Sequence, residues 1–425
     1  MKSSSFCSWS ATLLVLLASA CPGADEDGPA CVDDGSITLP AGFCATVFAE
    51  GIGPARHIAV SPSGDVFVAI ADQRDGTPGG VVALRDVDGD GVSDRRETFA
   101  GRGGNGIAWH QGRLYFAQND RIVRYAMPDG MLAPEGAPEV IVSGLPSVGN
   151  HNAKSVVLTD QGDMFVNIGS ASNACQEQDR IPGSPGVDPC PELDVRAGIW
   201  RFDADRIDQV QDDGERYATG VRNANALALD AYGTLWAAVN GRDQLHDNWP
   251  GLYTREDELR LPSEEILRVA EGADYGWPYC YHDPILGRMV LAPEYGGDGA
   301  TADYCASVEG PTAVLPAHWA PLGMTFYRGR QFPAHYRGGM FIANHGSWAE
   351  PLATTPPGYD VVFVPASAGK VRGAYERFAE GFAGEARPLP EAAEHRPVGV
   401  AEAPDGSLYI SDDVGGTIWR VYYRG

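Results

Sequence analysis

Residues 57–70, HIAVSPSGDVFVAI, contain two short apolar runs separated by a polar turn that ends near Gly64. This pattern predicts a β-hairpin. It recurs five more times along the chain. The other copies are GIAWHQGRLYFAQ (106–118), SVVLTDQGDMFVNI (155–168), ALALDAYGTLWAAV (226–239), GMTFYRGRQFPAHYRGGMFIAN (323–344) and GVAEAPDGSLYIS (399–411).

Each hairpin is followed, after a loop of variable length, by a third apolar strand. These strands are VVALRD (81–86), RIVRYAM (121–127), GIWRFDA (198–204), EEILRVA (264–270), YDVVFVPA (359–366) and TIWRVYY (417–423). Fourth strands are clear at RRETFAG (95–101), PEVIVSG (138–144) and YERFAEG (375–381). No fourth strand follows the sixth hairpin, but FCATVFAEG (43–51) has the pattern of the missing one.

The repeats therefore predict an all-β fold, a six-bladed β-propeller with four-stranded blades, whose ring is closed by an N-terminal strand. A β-sandwich or a pair of barrels would explain neither the sixfold recurrence nor the missing last strand. We expect residues 39–425 to form the propeller, preceded by a linker at 21–38.

The first twenty residues, MKSSSFCSWSATLLVLLASA, have the single lysine, short apolar run and small C-terminal residues of a secretory signal peptide. LASAC (17–21) also resembles a lipobox, which would make Cys21 a lipid anchor. We expect an exported protein, either an envelope lipoprotein or a periplasmic or secreted one.

The remaining cysteines fall into three local pairs, which predict disulfides in an exported chain. The pairs are Cys31 with Cys44, Cys175 with Cys190, and Cys280 with Cys305. The net charge of −25 disfavours nucleic acid and anionic lipid as partners.

In each blade, the start of the first strand and the loop after the second strand are predicted to lie at the same end of the channel, which we call the mouth. Polar residues at these positions should therefore converge there. His151, Arg222 and His395 each stand eleven residues before the turn glycine of their hairpins. The same segments also carry Asn105, Lys154, Asn223, Asn240, Gly241, Arg242, Asp243, His345, Arg396 and Asp412. Several cations at one opening of an acidic protein indicate an anionic ligand.

Several motifs resemble those of the soluble quinoprotein sugar dehydrogenases, most closely the glucose/sorbosone dehydrogenase branch, from about residue 39 to the end. The motifs are HNAKS (151–155), TGVRNANALALD (219–230), NGRD (240–243), DYGWP (274–278), APLGMTFYRG (320–329), GGMFIANHGSW (338–348) and RPVGVAEAPDGSLYISDD (396–413). DYGWP itself is better explained by packing, with Tyr275 and Trp277 filling a gap between blades.

The resemblance implies a pyrroloquinoline quinone (PQQ) cofactor held at the mouth by calcium and cations, a small sugar or alcohol as substrate, and a separate electron acceptor. It implies that His151 is the base and that Arg222 lies near the quinone oxygen. Implied cofactor contacts are Asn105, Lys154, Arg222, Asn223, His345 and Arg396, and the carbonyls of Gly241 and Arg242 would bind the cofactor calcium. His345 stands where the glucose-oxidising members have a lysine.

A second calcium signal is independent of this family. DVDGDGVSDRRE (86–97) fits D-x-[DN]-x-[DN]-G-x5-E, the pattern of an EF-hand loop. Its predicted ligands are Asp86, Asp88, Asp90, the Val92 carbonyl, Asp94 and Glu97. Since the flanking residues read as strands, we expect a structural calcium in a hairpin on the face opposite the mouth.

Two other functions remain open at this stage. A calcium-dependent lactonase propeller would need Asp, Glu and Asn side chains around a channel metal, whereas the mouth has mainly His, Arg and Lys. A non-catalytic binding propeller at the cell surface could keep the fold while losing the base and the cations. The presence of His151 with Arg222, Asn223 and Arg396 favours the dehydrogenase.

Overall fold

The computed structural model describes residues 37–128, 130–347, 358–384 and 390–425. Across these residues, six antiparallel sheets form blades around a central channel, which confirms the predicted six-bladed β-propeller. The predicted signal peptide at 1–20, Cys21 and Cys31 lie outside the described residues. No helix in the described part of the chain is long and apolar enough to cross a membrane.

The blades follow one another in chain order, and the bounds of the strands of each blade are given from the innermost strand to the outermost. Blade 1 consists of Ala55–Val60, Val66–Ile70, Gly80–Arg85 and Arg95–Phe99. Blade 2 consists of Gly104–His110, Arg113–Gln118, Arg121–Ala126 and Glu139–Ser143. Blade 3 consists of Val156–Leu158, Asp163–Ile168, Gly198–Asp203 and Glu215–Thr219.

The remaining blades have the same order of strands. Blade 4 consists of Ala226–Leu229, Leu235–Val239, Glu264–Arg268 and Ala313–Leu315. Blade 5 consists of Pro321–Phe326, Met340–Asn344, Asp360–Val364 and Glu376–Ala379. Blade 6 consists of Pro397–Glu402, Leu408–Asp412, Ile418–Tyr423 and Phe43–Ala49.

The N-terminal strand closes the ring, as the sequence predicts. Phe43–Ala49 pairs antiparallel with Ile418–Tyr423, so the two ends of the described chain share one sheet. Phe43 packs edge-on against Phe332, Phe378 and Tyr423, with ring centroids 4.7 to 5.1 Å apart. The closing strand is therefore anchored to the aromatic core between blades 5 and 6.

The innermost strands of neighbouring blades approach so closely that glycine is required. A Cβ on Gly106 would lie 2.7 Å from the Cα of Ser155 in the next blade, and one on Gly323 would lie 2.3 Å from the Val398 carbonyl oxygen. The register of these strands shifts near their mouth ends, for example between Gly104 and Gly106. Such bulges re-aim the side chains that follow.

Two insertions cover the mouth side of blades 3 and 4. Residues 169–197 follow the second strand of blade 3 and contain the Cys175–Cys190 disulfide. Residues 269–312 separate the last two strands of blade 4 and contain the Cys280–Cys305 disulfide and a hairpin of Cys280–Asp283 with Arg288–Leu291. Both disulfides match the predicted pairs and are typical of an oxidising compartment.

Two blades gain a short parallel fifth strand that the sequence pattern does not predict. Ala273–Asp274 pairs with Glu215–Thr219 of blade 3, and Gln209–Val210 pairs with Glu139–Ser143 of blade 2. Two-residue strands carry no periodicity. The first of them matters for the site, because it carries the DYGWP segment along the outer edge of blade 3 towards the mouth.

The remaining elements are short and lie in the connections. Helices span Leu245–Asn248 and Arg255–Arg260, and a small hairpin pairs Ala366–Ser367 with Lys370–Val371. Single 3-10 turns occur at Pro191–Asp194, Gln211–Asp213, Pro293–Tyr295, Asp303–Ala306, Ala334–Tyr336 and Pro390–Ala392.

Replacing Phe43 by alanine tests ring closure. Phe43→Ala removes a buried ring from the closing strand, and we expect it to lower the free energy of unfolding by about 3–5 kcal/mol. Urea unfolding measures the change, with Ile207→Ala as control, because Ile207 is half exposed and should cost under about 0.5 kcal/mol. Equal, small losses in both variants would show that this strand does not anchor the ring.

Candidate active site

A cavity of about 330 Å³ opens at the mouth between blades 1 to 4. Its lining includes Arg56, Asn105, His151, Asn223 and Asn225, and its volume is near the lower end of the roughly 300–1,000 Å³ of small-molecule sites. A larger cavity of about 800 Å³ lies at the other end of the channel, and none of the predicted site residues lines it.

His151 lies on the loop that enters blade 3 and is held by Ser170, which follows the second strand of the same blade. The Nδ1 atom lies 3.1 Å from the Ser170 carbonyl oxygen and 2.9 Å from its hydroxyl oxygen. Because a carbonyl only accepts, Nδ1 carries the hydrogen of the neutral ring. Nε2, which has no hydrogen-bond partner among the described residues, is therefore a free proton acceptor.

Charge and packing around this imidazole set its pKa and its position. Burial and the neighbouring Arg222 guanidinium lower the pKa of His151 to about 3, because both disfavour the charged ring. Gly169 lies against it so closely that a Cβ there would be 2.6 Å from the His151 Cβ. Sequence analysis missed Gly169 and Ser170, although both follow the second strand of blade 3 directly.

Arg222 is buried and fully engaged within the chain. Its Nε donates to the Asn173 carbonyl at 3.1 Å, and Nη1 donates to the carbonyls of Asn240 and Gly241 at 3.2 and 2.6 Å. Nη2 donates to the Asn173 side chain at 2.9 Å and to Asp243 at 3.2 Å. All five N–H donors thus have protein partners, and the Arg222 charge acts on the neighbouring His151 ring.

The predicted calcium carbonyls lie in the same network. Gly241 accepts the Arg222 contact at its carbonyl oxygen, and its N–H donates to Glu264 at 2.6 Å. The Arg242 guanidinium forms a buried ion pair with Glu294. A cation bound at the Gly241 carbonyl would meet the Arg222 charge at short range, but the carboxylates of Asp243 and Glu264 lie in the same network. Calcium binding at Gly241 and Arg242 stays a prediction.

Lys154 does not reach the cavity. Its fully buried ammonium donates to the carbonyls of Pro146 and Asn152 at 2.9 and 2.6 Å, and so it braces the loop that carries His151. Burial lowers its pKa to about 7, and the nearby Arg196 acts in the same direction. The structure therefore gives Lys154 a different position from the one that the family resemblance implies.

A second polar group lies where blades 5, 6 and 1 meet. Asp413 accepts from Arg56 at 2.7 Å and contacts His345 Nε2 at 2.9 Å, and Arg396 Nε donates to the His345 carbonyl at 2.9 Å. These partners hold the pKa of Asp413 at about 2, although burial alone would raise it. Asn105 joins this group by accepting from Arg56 Nε at 2.9 Å.

Arg56 and the carboxylate of Asp72 both lie in the cavity wall, and the sequence analysis above names neither. Arg56 stands eight residues before the turn glycine of blade 1, the offset at which Lys154 and Asn225 stand in blades 3 and 4. His345 adjoins it through Asp413, and Arg396 adjoins His345 through the His345 carbonyl, but neither residue lines this cavity.

Two asparagines in the cavity wall have an unsatisfied oxygen. The Oδ1 atoms of Asn223 and Asn225 are buried and have no hydrogen-bond partner within the described part of the chain. Leaving a buried acceptor unpaired costs about 1–3 kcal/mol. Both oxygens are enclosed by the protein, so a bound molecule would reach them only if the side chains turned.

The DYGWP segment acts through packing, as the sequence analysis concluded. Tyr275 is buried in the core between blades 3 and 4. Trp277 packs on the Cys175–Cys190 disulfide, and its indole N–H donates to the Asn173 carbonyl at 3.0 Å. Because Asn173 also accepts hydrogen bonds from Arg222, this segment helps to hold Arg222 in position through Asn173.

The acidic loop of blade 1 lies at the opposite end of the blades. It brings together the carboxylates of Asp86, Asp88 and Asp94, whose oxygens lie within 4.8 Å of one another. Asp90 and Glu97 do not join them. Asp90 accepts from the Val92 N–H at 2.8 Å, and Glu97 lies in strand Arg95–Phe99, which extends away from the loop where an EF-hand would have a helix.

Comparisons with known proteins agree with this fold. A stretch of 216 residues is 32% identical to an uncharacterized protein of Borreliella burgdorferi and covers 49% of each chain. Another of 266 residues is 27% identical to a pyrroloquinoline quinone-dependent pyranose dehydrogenase of Coprinopsis cinerea and covers 53% of this chain and 34% of that protein. The chain thus matches half or less of the length of these relatives.

Among solved structures, the calcium structure of a Carbohydrate-Active Enzymes family AA12 protein from Trichoderma reesei has the same fold. Its TM-score is 0.74 at 19% identity, over 94% of this chain and all of that one. The sequence profile of the TrAA12-like family matches residues 37–424. The chain belongs to the TrAA12-like family.

Proposed function

We propose that this protein is a PQQ-dependent oxidoreductase that oxidises a sugar at the mouth of the propeller, with His151 as the base. The observation that carries the proposal is the free Nε2 of a neutral imidazole in the wall of a polar cavity that also contains Arg56. Similarity to a PQQ-dependent pyranose dehydrogenase supports it.

The residues of the cavity wall fit this cofactor. PQQ is an anion with several carboxylates, and Arg56 in the wall, which is paired with Asp413, has donors left that could bind one of them. Asn105, Asn223 and Asn225 also line the cavity and would present amide groups to the cofactor or to a substrate hydroxyl. Bound there, PQQ would supply a quinone that accepts hydride, and the protein would supply orientation and charge.

The chain's own residues would then handle the proton. His151 Nε2 would take the hydroxyl proton of the substrate as the neighbouring C–H bond breaks. Arg222, locked by five hydrogen bonds, would present a fixed positive charge to the developing negative charge. Electrons would leave to a separate acceptor, and an exported enzyme, anchored through Cys21 or released, would meet its sugar outside the cytoplasm.

The first test is PQQ binding followed by activity. We expect saturable PQQ binding by absorbance and dye reduction with aldoses as substrates. His151→Ala should bind PQQ and lose about 100-fold or more in kcat, because the base is gone. His335→Ala is the matched control, since that exposed histidine pairs with Glu376 on the outer surface.

Binding of PQQ without substrate-dependent reduction would favour the non-catalytic binding propeller. Failure to bind PQQ, with or without calcium, would exclude the enzyme.

The low pKa of His151 predicts an unusual pH profile. The base works when neutral, so activity is present above its pKa and is lost as the pH falls through it. With a pKa of about 3, kcat/KM should not fall between pH 7 and about pH 5, where an ordinary imidazole with pKa about 6.5 would already be protonated. Loss of activity with a midpoint near pH 6.5 would contradict this environment.

We also propose that the acidic loop of blade 1 binds a structural calcium ion through Asp86, Asp88 and Asp94. Three carboxylate oxygens within 4.8 Å of one another repel when empty, and calcium prefers such oxygen ligands. The ion would join the third and fourth strands of blade 1 at the face opposite the mouth.

Calcium removal tests this loop. At about 100 times the dissociation constant, calcium should add about 2.7 kcal/mol to the free energy of unfolding, and a chelator should remove the gain. Asp88→Asn should lose most of the calcium effect, whereas the exposed Asp212→Asn should keep it. A calcium shift that is unchanged in Asp88→Asn would place the ion elsewhere.

A further inference from the structure

Two histidines occupy equivalent places in blades 3 and 6 but have different partners. His151 and His395 each stand eleven residues before their turn glycines, and each ring is contacted at Nδ1. His395 contacts the Asp412 carboxylate at 2.9 Å, which raises its pKa. His151 contacts only the neutral oxygens of Ser170.

Ser170 has a directed hydrogen bond. It is fully buried, and its hydroxyl donates to the Ser172 carbonyl at 2.7 Å. Since a hydroxyl has one hydrogen, the Ser170 oxygen that faces His151 can only accept. Its backbone holds the neighbouring blade as well, because the Ser170 N–H donates to the Arg222 carbonyl at 2.8 Å.

We infer that Ser170 is the positioning residue of His151: it fixes the neutral Nδ1–H tautomer and leaves Nε2 facing the mouth, without the carboxylate that would store the proton. The inference rests on the proposed function, in which His151 is the base, and adds what sets its tautomer and strength. The other charges that face the ring are Arg222 and Arg180, which disfavour its protonation, and Asp243, which favours it.

The two histidines show what the choice of partner changes. Beside Asp412 a charged ring is stabilised, which suits a structural ion pair in blade 6. Beside Ser170 the charged ring gains little, so a proton taken from substrate is passed on easily. A carboxylate at position 170 should therefore raise the pKa of His151, as Asp412 raises that of His395.

The first measurement is nitrogen NMR of histidine-labelled protein without cofactor, with His151→Ala to assign the signal. We expect a neutral ring with hydrogen on Nδ1 from pH 8 to about pH 5. Hydrogen on Nε2 would overturn the inference, and this result needs no variant at Ser170 and no activity.

The second measurement compares variants of Ser170. Ser170→Asp should raise the pH at which His151 titrates by about one to three units and move the acid limb of kcat/KM by the same amount. Ser170→Ala removes only the hydroxyl acceptor, so the remaining carbonyl should keep hydrogen on Nδ1, while the less firmly held ring should lower kcat about tenfold with PQQ affinity unchanged. Ser407→Ala, a buried serine at the far end of the channel, should change neither.

An unmoved His151 titration in folded Ser170→Asp would also overturn the inference. The proposed function can fail separately: PQQ would then not bind wild-type protein, while the NMR results stand.

Discussion

The close approach of six innermost strands around one channel is the constraint on which the rest depends. It requires glycine at Gly106 and Gly323, where a Cβ would meet the backbone of the next blade. It also aligns the ends of the strands, so that residues distant in sequence face one cavity. His151 and Asn223 come from adjacent blades, yet both lie against Gly169.

Much of the fold is predictable because a blade is a repeated pattern. Alternating apolar residues and turn glycines locate the first three strands of all six blades, and the unpaired sixth hairpin identifies Phe43–Ala49 as the closing strand. The fourth strands of blades 3 and 4, Glu215–Thr219 and Ala313–Leu315, are not clear from the pattern. The two-residue parallel strands are not predictable, since their pairing depends on where an insertion of 44 residues, 269–312, happens to pass.

The candidate site is predictable in position but less so in contacts. His151, Asn105 and Asn223 line the cavity, as the repeat indicates. Lys154 and Arg222 turn inwards, because buried carbonyls compete for their donors and the sequence does not reveal those carbonyls. Arg56 was missed although it shares the repeat offset of Lys154, and Glu97 was misplaced because the EF-hand pattern assumes a helix where this chain has a strand.

Equivalent positions in a repeat fold do not imply equivalent roles. His151, Arg222 and His395 start the same kind of strand, but the loops beside them decide what each does. Asp412 contacts His395 and favours its charged form, Asp243 and four other protein oxygens hold Arg222, and Ser170 leaves one nitrogen of His151 free. A propeller thus provides six similar positions around one mouth. A side chain at such a position can react with a ligand where the neighbouring loop carries no group that pairs with it.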